Sequence, residues 1–163
     1  MAVAILDPVA AGLARLVELL RAGQVVGFPT DTVYGLAALA SDAGAVRHVY
    51  EIKGRPEGRP LIVMVPEAAQ VSELAEVGER ERACMARWWP GPLTLVLRAK
   101  PHLEPPLVSG EPPTVGVRVP GHPAALALLR AVGAPLATTS ANLSGQPGAM
   151  TASEAAGDRK SVV

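Results

Sequence analysis

Apolar residues first recur at helical spacing at Leu13, Leu16, Val17 and Leu20, behind Asp7 as N-cap and Pro8 as first helical residue, and the run ends at Gly23. Val25-Val26-Gly27-Phe28 is an unbroken apolar run stopped by Pro29, which predicts a short buried strand. Asp42 then caps a second helix whose apolar face is Val46, Val49, Tyr50 and Ile52, ending at Gly54. Residues 61–65 form another apolar strand, and residues 67–74 and 79–88 read as helical with Gly78 between them. Strands at 93–97 and 115–119 flank a proline-rich loop, 101–113, and a helix over 123–132 precedes a last strand at 136–139. Helices alternating with apolar strands predict an α/β domain of three layers. With no internal repeat and no linker-like stretch, residues 1–163 are expected to form one domain.

Composition narrows the function classes. The chain has 163 residues, 49% hydrophobic and 18% charged, enough for one sizeable core. Fifteen basic and fifteen acidic side chains balance, which argues against a protein that coats nucleic acid through bulk charge. Any anion site must therefore be local. A single cysteine, Cys84, leaves no internal disulfide or multi-cysteine zinc site, and its place beside Met85 is expected to be inert packing. The first eight residues lack a basic leader, and Arg130, Gly133 and Pro135 break the longest apolar tract, so neither a signal peptide nor a membrane span is expected and the location is read as cytoplasmic.

The chemistry is concentrated in a few segments. Lys53-Gly54-Arg55-Pro56-Glu57-Gly58-Arg59 puts three cations on a backbone punctuated by Gly and Pro, immediately before a strand. Guanidinium forks and ammonium groups match phosphate or carboxylate oxygens, so this loop points to an anionic substrate. Thr30-Asp31-Thr32-Val33-Tyr34-Gly35 offers hydroxyls, a carboxylate and a phenol, but taken alone it reads as a capped turn. Arg118 lies in an otherwise apolar strand: either it pairs with an anion in the interior or it snorkels from an edge strand. Ser140-Ala141-Asn142-Leu143-Ser144-Gly145 follows a strand and is rich in small donors, as a phosphate-cradling loop or a plain turn would be. These polar strand ends are expected to wall one cleft.

Other chemistries find no support. P-loop and dinucleotide spacings are absent, as is a nucleophile elbow. His48, His102 and His122 lack metal-ligand spacing; His48 reads as a helix-surface residue and His122 as a helix N-terminal one. Trp88-Trp89-Pro90-Gly91-Pro92 reads as a helix end and a turn that buries one indole.

In order, Pro29-Thr30-Asp31-Thr32-Val33-Tyr34-Gly35-Leu36, Lys53-Gly54-Arg55-Pro56 with Pro60-Leu61-Ile62-Val63, Trp89-Pro90-Gly91-Pro92-Leu93-Thr94, Val117-Arg118-Val119-Pro120 with His122-Pro123, and Ser140-Ala141-Asn142-Leu143-Ser144-Gly145 resemble the YrdC/Sua5 family of threonylcarbamoyl-AMP synthases. The resemblance implies the three-layer YrdC/RibB-like fold, a twisted mixed β-sheet flanked by helices. It also implies a nucleotidyltransferase that makes threonylcarbamoyl-AMP and pyrophosphate from ATP, L-threonine and bicarbonate, for modification of adenosine 37 of tRNA by partner proteins. By similarity, Lys53 and Arg55 are the catalytic cations; Lys53, Arg55, Arg59, Thr114, Ser140 and Gly148 bind ATP; and Thr32, Met64, Arg118 and Thr138 bind L-threonine. Mg2+ accompanies ATP, because the phosphate charge requires it. Relatives usually continue past the Ser-Ala-Asn segment, whereas this chain stops at Ser161-Val162-Val163, so a closing wall of the ATP site is expected to be missing.

Two alternatives remain. One is a module that binds double-stranded RNA or tRNA without making an adenylate, against which the zero net charge weighs. The other is a carbamoyl-transferring domain of the hydrogenase-maturation type, whose zinc-binding cysteines this chain lacks.

Overall fold

A computed structural model describes residues 4–5, 10–56 and 58–157. The cap expected at Asp7 and Pro8, and the tail Ser161-Val162-Val163, lie outside the described residues. The elements run β1 (Ala4–Ile5), α1 (Ala10–Arg21), β2 (Val26–Phe28), β3 (Gly35–Leu39), α2 (Ala43–Lys53), β4 (Ile62–Met64), α3 (Val71–Leu74), α4 (Glu79–Trp88), β5 (Leu95–Arg98), β6 (Thr114–Arg118), α5 (Pro123–Val132), β7 (Leu136–Ser140) and α6 (Ala152–Gly157).

The helix bounds follow local chemistry. Asp42 caps α2 by accepting a hydrogen bond from the Ala45 amide at 3.0 Å. Gly54 ends that helix in the left-handed region at φ 57°, where a side chain is unfavourable, and so turns the Lys53 to Arg59 loop back toward the sheet. His122 caps α5, its Nδ1 accepting from the Ala124 amide at 3.1 Å, with Pro123 in the first turn.

The described strands make one mixed sheet in the order β1-β2-β3-β7-β4-β6-β5. β1 is parallel to β2 and β4 to β6; the other neighbouring pairs are antiparallel. Successive side chains point to opposite faces, and two cores result. On one face Leu16 and Leu20 of α1 meet Leu128 and Leu129 of α5 over Val26, Phe28, Ala37, Met64 and Leu136. On the other, Val46, Val49 and Tyr50 of α2 cover Leu36, Ala38, Val63, Val117 and Ala137, and Val71, Leu74 and Met85 extend that layer. Full burial of each Val, Leu, Phe or Met side chain among these stabilises the fold by roughly 1.5–3 kcal/mol.

Sequence pattern overlooked β3. Gly35-Leu36-Ala37-Ala38-Leu39 has no β-branched residue, yet it pairs with β2 on one side and β7 on the other. Its small side chains suit a strand covered on both faces. At Gly35 the close packing is direct: an added Cβ would lie 2.9 Å from the Phe28 ring and 3.4 Å from the Thr139 carbonyl. Cys84 also differs from expectation, since it is exposed on α4 while its neighbour Met85 is the buried one. Trp89 meets expectation: it is half-buried and its indole N–H donates to Leu93 O at 2.7 Å, leaving Trp88 55% exposed.

Candidate active site

A cavity of about 280 Å³ opens on the sheet face that α1 and α5 cover elsewhere, and no residue of either helix lines it. Strand register brings its floor together. Thr138 of β7 lies between Ala37 and Ile62, and Met64 of β4 lies beside Arg118 of β6. Alternation places Thr138, Met64 and Arg118 on one face, because Ala137, Val63 and Val117 belong to the opposite core.

The roof is the turn between β2 and β3. Thr30 Oγ1 accepts from the amides of Thr32 at 3.2 Å and Val33 at 3.3 Å, and donates to Val33 O at 2.6 Å. That is the capped turn the sequence suggests. It also carries chemistry, because it folds across the sheet from β3 to β6, three strands or roughly 14 Å. There Asp31 and Thr32 meet Arg118.

Arg118 is only 6% exposed and β6 is an interior strand, so it does not snorkel from an edge. Its Nη2 forms an ion pair with the Asp31 carboxylate, its Nη1 donates to Thr32 Oγ1 at 3.3 Å and its Nε donates to Gly91 O at 3.0 Å. Gly91 in turn donates its amide to Val119 O at 2.9 Å, which locks the Trp89-Pro90-Gly91 turn onto the end of β6. Three groups thus orient the guanidinium toward the cavity it lines.

Arg55 stands at the other end of the cavity with Pro60, Thr139 and Ser140. It donates to Thr139 Oγ1 at 3.3 Å, to Pro60 O at 3.1 Å and to Arg59 O at 3.1 Å. Tyr50 steadies the same loop, its single hydroxyl proton lying within hydrogen-bond reach of Arg59 O at 2.8 Å and Pro106 O at 3.1 Å.

The cavity therefore gathers Thr32, Arg55, Met64, Arg118, Thr138 and Ser140 from the expected site residues. The other four stand outside its lining. Lys53 is 2% exposed and its ammonium donates to Ser140 O and Asn142 O, both at 2.6 Å, so it ties α2 to the loop after β7. Arg59 is exposed, and its carbonyl holds Arg55 and Tyr50. Thr114 opens β6 beside Arg98, with its hydroxyl donating to Ser109 O at 3.1 Å. Gly148 backs the roof, where an added Cβ would lie 2.8 Å from Val33.

Sequence reasoning missed three contributors: Asp31 as the countercharge of Arg118, the Gly91 carbonyl as its anchor, and the Asn142 carbonyl as a Lys53 acceptor. All three lie within segments singled out by motif. Nothing in a motif says which atom meets which. Among the described residues no group of three or more His, Cys, Asp or Glu could hold a metal ion, and no helix is long and apolar enough to cross a membrane.

Residues 18–163 match the family model named for Sua5, YciO and YrdC and described as "Telomere recombination". The chain belongs to the Sua5/YciO/YrdC family. Among its relatives in this family, the threonylcarbamoyl-AMP synthase of Bacillus subtilis (strain 168) is 46% identical over 147 residues, 90% of this chain and 42% of that protein. The threonylcarbamoyl-AMP synthase of Pyrococcus abyssi is 44% identical over 140 residues, 85% of this chain and 41% of that protein. The chain spans less than half the length of these two Sua5/YciO/YrdC proteins. The structure of P. abyssi Sua5 complexed with L-threonine superposes with a TM-score of 0.86 at 38% identity, over 97% of this chain and 47% of that one. E. coli YciO superposes with a TM-score of 0.84 at 29% identity, over 99% of this chain and 80% of that one. The mixed sheet flanked by helices is thus the Sua5/YciO/YrdC fold.

Proposed function

We propose that the cavity binds L-threonine and that the chain makes threonylcarbamoyl-AMP and pyrophosphate from threonine, bicarbonate and ATP, as a nucleotidyltransferase. The observation that carries the reading is Arg118, a buried guanidinium lining a small cavity whose opposite end holds a second, Arg55. Two cations facing one space suit a substrate pair with two separate anionic groups. The names of the relatives, and the threonine complex of P. abyssi Sua5, support the same assignment.

In this reading Arg118 pairs with the threonine carboxylate, and Thr32, Thr138 and the backbone near Met64 orient the rest of the amino acid. The Thr138 hydroxyl donates to Ile62 O at 3.1 Å, which leaves its lone pairs to accept from the ligand. The threonine amine takes up bicarbonate with loss of water to give a carbamate. A carbamate oxygen then attacks the α-phosphorus of ATP, the bond to the β-phosphate breaks, and pyrophosphate leaves with the electron pair. No protein nucleophile is required. Arg55 and Ser140 face the phosphates, Arg59, Thr114 and Gly148 complete the nucleotide site, and Lys53 holds the Ser140 loop in place. The protein's contribution is positioning and electrostatic stabilisation of developing charge. Bound together with ATP, Mg2+ would neutralise part of the triphosphate charge that Arg55 also faces.

We also infer that residues 1–163 act as one domain, that the protein works in the cytoplasm, and that its product passes to partner proteins that modify tRNA. The test is pyrophosphate release from ATP and bicarbonate with and without L-threonine. Threonine-dependent release is expected. No release at saturating substrates overturns the reading, and duplex-RNA binding without adenylate formation favours the RNA-binding alternative.

A further inference from the structure

Helix α4 buries only one of its residues, Met85. Beneath it lies a cavity of about 620 Å³, larger than the candidate active site and sharing no lining residue with it. Val77, Met85, Trp89 and Val119 give it apolar walls, while Arg82 of α4, Arg130 of α5 and Glu67 stand at its edge. Among the described residues neither guanidinium makes a side-chain hydrogen bond or ion pair. Two cations against one carboxylate leave the edge positive. The volume falls within the roughly 300–1,000 Å³ of small-molecule pockets, and apolar walls with a few charged groups are their usual composition.

We propose that the cavity under α4 is a second ligand site, for a small molecule with an apolar or aromatic body and one anionic group, whose occupancy stiffens the turn that holds Arg118. The apolar body packs on Met85, Trp89 and Val119, and the anion bridges Arg82 and Arg130. The link to Arg118 is short. Trp89, Pro90 and Val119 are walls of the cavity, Gly91 donates to Val119 O at 2.9 Å, and Gly91 O accepts from Arg118 Nε at 3.0 Å. A ligand that fixes the cavity walls therefore fixes the carbonyl that aims the guanidinium.

The test uses the full chain and two fluorescent probes of matched shape, 8-anilinonaphthalene-1-sulfonate and its uncharged relative N-phenyl-1-naphthylamine. The sulfonate is expected to bind saturably at one site and more tightly than the neutral probe. Arg82→Ala and Arg130→Ala, both on the surface, each weaken the sulfonate about tenfold, the loss of one charge-assisted hydrogen bond, with little change for the neutral probe. Thermal melts confirm that these variants remain folded. Saturating sulfonate is also expected to slow amide hydrogen exchange at Gly91 severalfold. Binding that ignores both arginine substitutions overturns the site, and unchanged exchange at Gly91 overturns its link to Arg118.

Discussion

Arg118 and Asp31 form a nearly enclosed ion pair, their side chains 7% and 17% exposed, between an interior strand and the turn that roofs the cavity. The pairing settles how an arginine is tolerated inside an apolar strand. It also means that the turn is held down by a residue that lines the cavity.

Removing Asp31 strands a buried guanidinium, which costs about 3–5 kcal/mol when one partner of a buried pair is lost. In the proposed reading the threonine carboxylate can take its place. Asp31→Ala is therefore expected to melt well below the parent protein, and saturating L-threonine is expected to raise its melting temperature more than that of the parent. Equal shifts in calorimetric melts would remove the carboxylate of threonine from Arg118.

Arg55 sits at the phosphate end of the proposed site with its fork engaged by Thr139, Pro60 and Arg59. Loss of one preorganised cation at a point of developing charge costs roughly 3 kcal/mol in the barrier. Arg55→Ala is expected to lower turnover about 100-fold with a smaller change in threonine affinity, as measured by pyrophosphate release and by calorimetry. Parent-like turnover would take Arg55 out of the reaction.

Lys53 acts first on the fold. Its ammonium donates to Ser140 O and Asn142 O, and hydrogen bonds to charged groups contribute about 1.5–3 kcal/mol each. Lys53→Met is expected to destabilise the protein in urea by at least about 2 kcal/mol. It should also speed hydrogen exchange in residues 141–144 beyond that global change. Unaltered stability and exchange would make Lys53 a substrate contact alone.

Phe28 and Gly35 face each other across β2 and β3 with no room for a methyl group between them. Overpacking of this kind costs about 1–3 kcal/mol. Gly35→Ala is expected to lose that much in denaturant unfolding, and Phe28→Leu in the same chain is expected to restore part of it. A double variant less stable than the sum of the two single ones would contradict the packing.

Much of the architecture was legible in the chain, because amphipathic periodicity and capping are local. Asp42, Gly54 and His122 mark helix ends by chemistry that needs only neighbouring residues, and α4 and α5 lie where periodicity sets them. The site motifs were legible too, as clusters of cations and hydroxyls at strand ends. β3 was not, since Leu36, Ala37 and Ala38 become a strand only through ladders on both sides and helices on both faces. Nor could the chain show which of two readings holds for Arg118. Whether an arginine in an apolar strand snorkels from an edge or pairs with an anion in the interior depends on sheet order and on a turn that reaches across from β3. Only the tertiary structure fixes those, because Arg118 pairs with Met64 across the sheet and meets Thr32 and Asp31 from 86 and 87 positions away, beyond the reach of any local pattern.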